Sequence, residues 1–197
     1  MSAVVATVGG VKKGELDRLV EELGGVTSEA REVFGALDAA QLNWKPSAER
    51  WSVGQCFDHL IRTNGTFFAD MERVASGAYR SSAWARVSPL SGFFARMILR
   101  SLDPVKGRKS KAPRVFEPAK SDVDANVMGE FASHQEELVR LMRATAGVDL
   151  RRTMVTSPVA AVATYSLLDA YRIVVAHERK HFEQARRVAE DGRFPRA

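Results

Sequence analysis

The chain has 197 residues, of which 45% are hydrophobic and 27% charged, with a formal net charge of +5. That length suits one globular domain with a full core, read here as residues 1–197. No apolar run approaches the roughly 20 residues of a membrane-spanning helix, and a single cysteine, Cys56, excludes an internal disulfide and suits a reducing cytoplasm.

The N-terminus, MSAVVATVGGVKKGELDRL, lacks the leading basic region and apolar core of a signal peptide. It reads as a frayed leader to a first helix. That helix is expected over Lys13–Leu37, with Leu16, Leu19, Val20 and Leu23 on one face and Val33, Phe34 and Leu37 further on. Gly24 and Gly25 predict a kink or break. Pro46 bars continuation. Ser52 and Gln55 then form an S-x-x-Q capping box, with Trp51 placed to staple the chain entry. The second helix starts at Ser52 or Val53, carries Val53, Phe57, Leu60, Asn64, Phe67 and Met71 on one stripe, and is expected to end near Gly77.

Residues 78–120 are the least regular. Residues 92–102, GFFARMILRSL, predict a short helix, and the basic stretch Lys106–Arg114 reads as a solvated, exposed loop, with attraction of an anionic substrate or thiol cofactor as the functional alternative. Without a binding motif or interleaved aromatics it does not predict a nucleic-acid interface. Ser121 and Asp124 suggest a capping box for a third helix with Val127, Phe131, His134, Leu138 and Leu141 on its stripe, closed by Gly147. A short strand is expected at most at 152–156. Ser166 and Asp169 cap a fourth helix, running to about Glu190, whose stripe is Ala170, Val174, His177, His181, Ala185 and Val188. The expected fold is all-α, a four-helix bundle with a long crossover between the second and third helices.

The chain holds four histidines. His177 and His181 are four residues apart, so their rings lie one turn apart on one helix face, a spacing that lets one metal bridge them. Glu178 follows the first, as in H-E-x-x-H metalloproteases, but no histidine lies downstream to complete such a site. Both rings occupy core positions, where imidazoles are costly without partners. His59, beside the second helix stripe, can reach the same interior. Three histidine ligands leave an open coordination position, and imidazole suits zinc, nickel, iron or copper. The ordinary alternative is three hydrogen-bonded imidazoles and no metal. His134 reads as a satisfied core residue, with a pocket acid/base or fourth ligand as the alternative. Cys56 reads as a small buried residue, with a thiolate near the metal as the alternative. Glu178, about 100° around the helix from His177, is expected to face solvent or support a ligand, and Gln184 to face inward.

Two motifs extend this reading. Trp44 and Pro46 precede W-S-x-x-x-x-x-x-H-L at Trp51, Ser52, His59 and Leu60; H-E-x-x-H-x-x-Q follows at His177, Glu178, His181 and Gln184. Together they resemble the second and last helices of DinB-like and YfiT-like bundle proteins. The resemblance implies a divalent metal (zinc, nickel or iron) held by His59, His177 and His181, and a homodimer. Relatives in that broad superfamily include bacillithiol- and mycothiol-dependent transferases and isomerases. By that analogy the chain is a cytoplasmic metal-dependent thiol transferase acting on small electrophiles, in which the metal binds the cofactor thiol and lowers its pKa. A metal-bound water acting as base is the other mechanism, and a non-catalytic stress-response protein that keeps the metal site is the other function. Neither nucleic acid nor membrane is expected as a partner.

Overall fold

The computed structural model describes residues 13–103, 122–158, 160 and 162–196. Helix α1 spans Lys13–Phe34, α2 Ala39–Asn43, α3 Val53–Gly65, α4 Phe68–Ala75, α5 Ala83–Val87, α6 Ser91–Leu102, α7 Val127–Ala144 and α8 Leu167–Ala189. Strands β1, Met154–Thr156, and β2, Thr164–Ser166, pair antiparallel with Val155 opposite Tyr165. The fold is thus all-α apart from this small ribbon. Helices α1 and α3 each pack against both α7 and α8, while α6, from the long crossover, lies on α8 and β2. Among the described residues, no helix is long and apolar enough to cross a membrane. The N-terminal leader and the basic stretch Lys106–Arg114 lie outside the described residues.

The kink or break predicted at Gly24 and Gly25 is not a break, since α1 runs through both. Their neighbours Leu23 and Val26 are fully buried, so tertiary packing overrides the weak helix propensity of glycine. A Cβ built at Gly24 meets nothing within 4 Å. Gly24→Ala is therefore expected to raise stability by about 0.5–1 kcal/mol, read as a higher urea midpoint with an unchanged slope. Val33, read as a face-marking residue, is exposed instead.

The capping box at Ser52 forms as expected, with the Gln55 amide donating to Ser52 Oγ at 3.1 Å and Gln55 Oε1 accepting from the Ser52 amide at 3.2 Å. The single second helix predicted from Val53 to near Gly77 is instead two, α3 and α4. Thr66 and Phe67 bond back to the carbonyls of Thr63 and Asn64, a tightened turn that ends α3 just after Gly65. Gly77, with φ +74°, closes the second piece, because only glycine takes the left-handed conformation without strain. Helix α7 begins at Val127 rather than at the predicted capping box. Ser121 lies outside the described residues, and Asp124 instead accepts from the Asn126 amide in a turn. Helix α7 ends at Ala144, before Gly147, where Thr145 bonds the Met142 carbonyl and the Tyr171 hydroxyl. At α8, Ser166 caps the Asp169 amide, but the Asp169 carboxylate accepts from the Ser166 hydroxyl rather than the backbone, so the box is half formed.

Two apolar clusters make the core. One gathers Leu16, Leu19, Leu23, Phe67, Met71, Leu138, Tyr165, Tyr171 and Val175; the other Val26, Phe34, Phe57, Leu60, Phe131, Phe182 and Val188. The second is organised by one phenylalanine from each of α1, α3, α7 and α8. Phe34 meets Phe57 at 5.4 Å and Phe182 at 5.7 Å, and Phe57 meets Phe131 at 4.8 Å, all edge-to-face.

Candidate metal centre

On α8, the first cluster ends at Val175 and the second begins at Phe182. His177, Glu178 and His181 fall in the gap between them. On α3, His59 precedes Leu60 at the same level and is buried. The three predicted histidines therefore come together from two helices. Their candidate ligand atoms all lie within 4.8 Å of one another, and their ring centroids are 4.6–5.0 Å apart. His59 Nε2 stands 3.1 Å from His177 Nε2. Thr63, one turn along α3, donates its hydroxyl to the His59 carbonyl at 2.7 Å and lies 3.5 Å from His59 Nδ1. A proton on Nδ1 facing that hydroxyl leaves the Nε2 lone pair directed at His177.

Burial and neighbouring charge keep His177 and His181 neutral. Burial, then the neighbouring His59 and Lys180, push His177 down to about 3. Burial pushes His181 well below the usual range too, aided by His177, His59 and Lys180, with Gln184 pulling slightly the other way. Lys180 itself donates to the Ser101 carbonyl at 3.0 Å, at the C-terminal end of α6, where a cation is favoured. Neutral imidazole is the form that ligates metal.

The donor set fits a divalent ion. Two nitrogens about 2.0–2.1 Å from one zinc stand roughly 2.9–3.4 Å apart for ligand angles between octahedral and tetrahedral, which spans the His59–His177 separation. A hydrogen bond between two neutral rings also satisfies that distance, but it leaves His181 unexplained. His181 Nδ1 is buried without a well-formed hydrogen bond, Gln184 interacting with the same ring, and three buried imidazoles whose candidate ligand atoms lie within 4.8 Å of one another are an arrangement that a metal ion satisfies.

Trp51 contributes what the sequence did not reveal. Read as a staple and as part of the W-S…H-L motif, its ring stacks on His181 at 5.5 Å (18° between planes) and lies 4.9 Å from His59, forming an apolar wall of the cluster. Its sequence signals were its place just before the helix that carries His59 and its match to the W-S…H-L motif. Trp44 packs edge-on against Phe194.

Glu178 does not face solvent. It is fully buried and accepts from Asn64 Nδ2 at 2.7 Å. Burial pushes its carboxyl up to about 8, offset in part by Gln135 and Asn64. Asn64 had a visible signal, a polar residue on an apolar stripe; Gln135 had none.

His134 does not join the cluster. Its ring stacks on Phe68 at 4.7 Å with Nε2 buried and unpartnered. Burial lowers it to about 4, with Glu137 opposing. The unfolded chain, near 6.5, therefore takes up the proton first. The stabilising contribution is full above about pH 6.5 and is lost as pH falls towards 4. His134→Leu is expected to flatten the acid limb of stability in that window, seen by comparing urea midpoints at pH 7 and pH 4.5. An unchanged limb would show that His134 takes no part. Cys56 is fully buried among apolar residues, and burial raises its thiol far above the usual range, as expected for a packing residue rather than a thiolate.

No curated protein and no solved structure matches the chain. The family model of the DinB superfamily matches residues 22–185, which contain every residue of the histidine cluster. The chain belongs to the DinB superfamily.

Proposed function

We propose that His59, His177 and His181 bind one divalent ion of the zinc, nickel or iron type, and that the protein is a metal-dependent thiol transferase acting on small electrophiles. The observation that carries the metal reading is the convergence of three imidazoles from two helices, their candidate ligand atoms within 4.8 Å of one another. When bound, such an ion supplies Lewis acidity and lowers the pKa of a thiol that reaches it. The chain's own residues do the rest. Three histidines would occupy part of the coordination shell of such an ion and leave room for a further ligand. Trp51 covers His59 and His181 and keeps water from that side of the cluster.

In the transfer, a bond forms between the thiol sulfur and the electrophilic carbon. With a haloalkane the halide departs with its electron pair and the thiol proton passes to solvent base. With an epoxide the ring C–O bond breaks and its oxygen takes the pair and a proton. With an enone the carbon–carbon π bond breaks to an enolate that takes up the proton. The assignment of a thiol rests on the superfamily resemblance, since relatives include bacillithiol- and mycothiol-dependent enzymes. The second reading, a non-catalytic metal-binding protein, keeps the same site.

The test is an assay of the metal-loaded, untagged protein with bacillithiol, mycothiol and glutathione against haloalkane, epoxide and enone acceptors. Thioether formation above the metal-free background supports transfer. Metal uptake without turnover on any pair selects the non-catalytic reading.

A further inference from the structure

The two apolar halves of the core are separated by a layer of buried polar side chains. Asn64 on α3, Gln135 on α7 and Glu178 on α8 are 1%, 2% and 0% exposed. Each sits at the junction. Asn64 lies between Leu60 of one half and Phe67 of the other, Gln135 between Phe131 and Leu138, and Glu178 between Val175 and Phe182. Asn64 Nδ2 donates to Glu178 Oε1 at 2.7 Å, and Gln135 faces the same carboxyl without a well-formed hydrogen bond. Asn64 Oδ1, both Gln135 amide atoms and Glu178 Oε2 are buried without partners.

Such a layer is poor for stability. Partly satisfied buried polar groups cost more than an apolar core of the same volume. Its position supplies a reason to keep it. Helices α3 and α8, which the Asn64–Glu178 bond joins, are the two that carry the histidines. Apolar contacts are non-directional and tolerate rotation or sliding of one helix on another, whereas a hydrogen bond fixes distance and angle. Glu178 directly follows His177, about 100° around the helix. Anchoring Glu178 to α3, with Gln135 of α7 on the same carboxyl, sets the rotation at which α8 presents His177 and His181 to His59.

We infer that the Asn64–Gln135–Glu178 layer is a positioning device that orients α8 for metal binding by the three histidines. The inference rests on the metal reading above, and concerns residues that do not themselves touch the ion.

The test is a Co(II) titration of the full chain, read by affinity and by the visible d–d absorption of the bound ion. Glu178→Ala and Asn64→Ala are each expected to weaken binding by roughly 10–100-fold and to shift the absorption bands. Glu178→Gln retains an oxygen for the Asn64 amide and is expected to restore the wild-type spectrum. Phe131→Leu, a core variant outside the layer, is expected to lower thermal stability without moving affinity or spectrum, which separates positioning from general destabilisation. Wild-type affinity and spectrum in both alanine variants overturn the inference while leaving the metal reading intact. Should Glu178→Ala fail to fold, the Asn64→Ala arm decides alone. A wild type that takes up no Co(II) overturns the metal reading, and this inference with it.

Discussion

His177→Ala is expected to weaken divalent-metal affinity by more than about 100-fold, since loss of a supporting contact alone costs 10–100-fold at metal sites and this variant removes a ligand. His177 is the hinge of the cluster. Its Nε2 faces His59 Nε2 at 3.1 Å, and its ring centroid lies 4.6 Å from that of His181. Without it, His59 and His181 remain in ring contact at 4.6 Å but supply two ligands instead of three. The effect reads in two ways. Metal analysis of untagged protein should fall from near one ion per chain to a trace, and a chelator competition should give the affinity ratio. Stability should follow by mass action. An ion present at about 1,000 times its dissociation constant stabilises by about 4 kcal/mol, and a 100-fold weaker variant keeps about 1.4 kcal/mol of that. The metal-dependent rise in melting temperature should therefore shrink to about a third. Equal metal content in variant and wild type would remove His177 from the site.

Phe57→Ala is expected to cost about 3–5 kcal/mol, the range for removing a fully buried aromatic ring. Phe57 is fully buried and edge-to-face with both Phe34 and Phe131, so one truncation opens contacts from α3 to α1 and to α7. Against a total stability of about 5–15 kcal/mol, that is a large fraction. Urea unfolding followed by far-ultraviolet circular dichroism should show a much lower midpoint. Phe57→Leu, which refills most of the volume, should recover more than half of the loss. A loss below about 1 kcal/mol for the alanine variant would mean that the phenylalanine quartet does not organise this half of the core.

Short-range signals made much of the fold legible. The capping pairs at Ser52 and Ser166 placed the starts of α3 and α8 to within one residue, because a cap is a contact between side chain and backbone three residues apart. Failures were equally local in origin. Gly24 and Gly25 argued for a break that did not occur, since burial of Leu23 and Val26 outweighs two weak propensities. Tight bonds at Thr66 and Phe67 divided a helix whose periodicity ran on unbroken.

For the site, sequence by itself determined which residues can ligate. His177 and His181 share a face because four residues make about one helical turn, and that holds in any fold that keeps the helix. Only the tertiary structure decided which other groups share their space. It brought His59 within 3.1 Å of His177 and laid Trp51 on His181. It left His134 stacked on Phe68 rather than at the cluster. It also turned Glu178 inward, where the sequence allowed a solvent-facing role, onto Asn64. The physical reason is that helix periodicity fixes angles within one helix, whereas contacts between helices depend on how both are rotated and where they cross. Those quantities are set by packing among several helices, and no single segment encodes them.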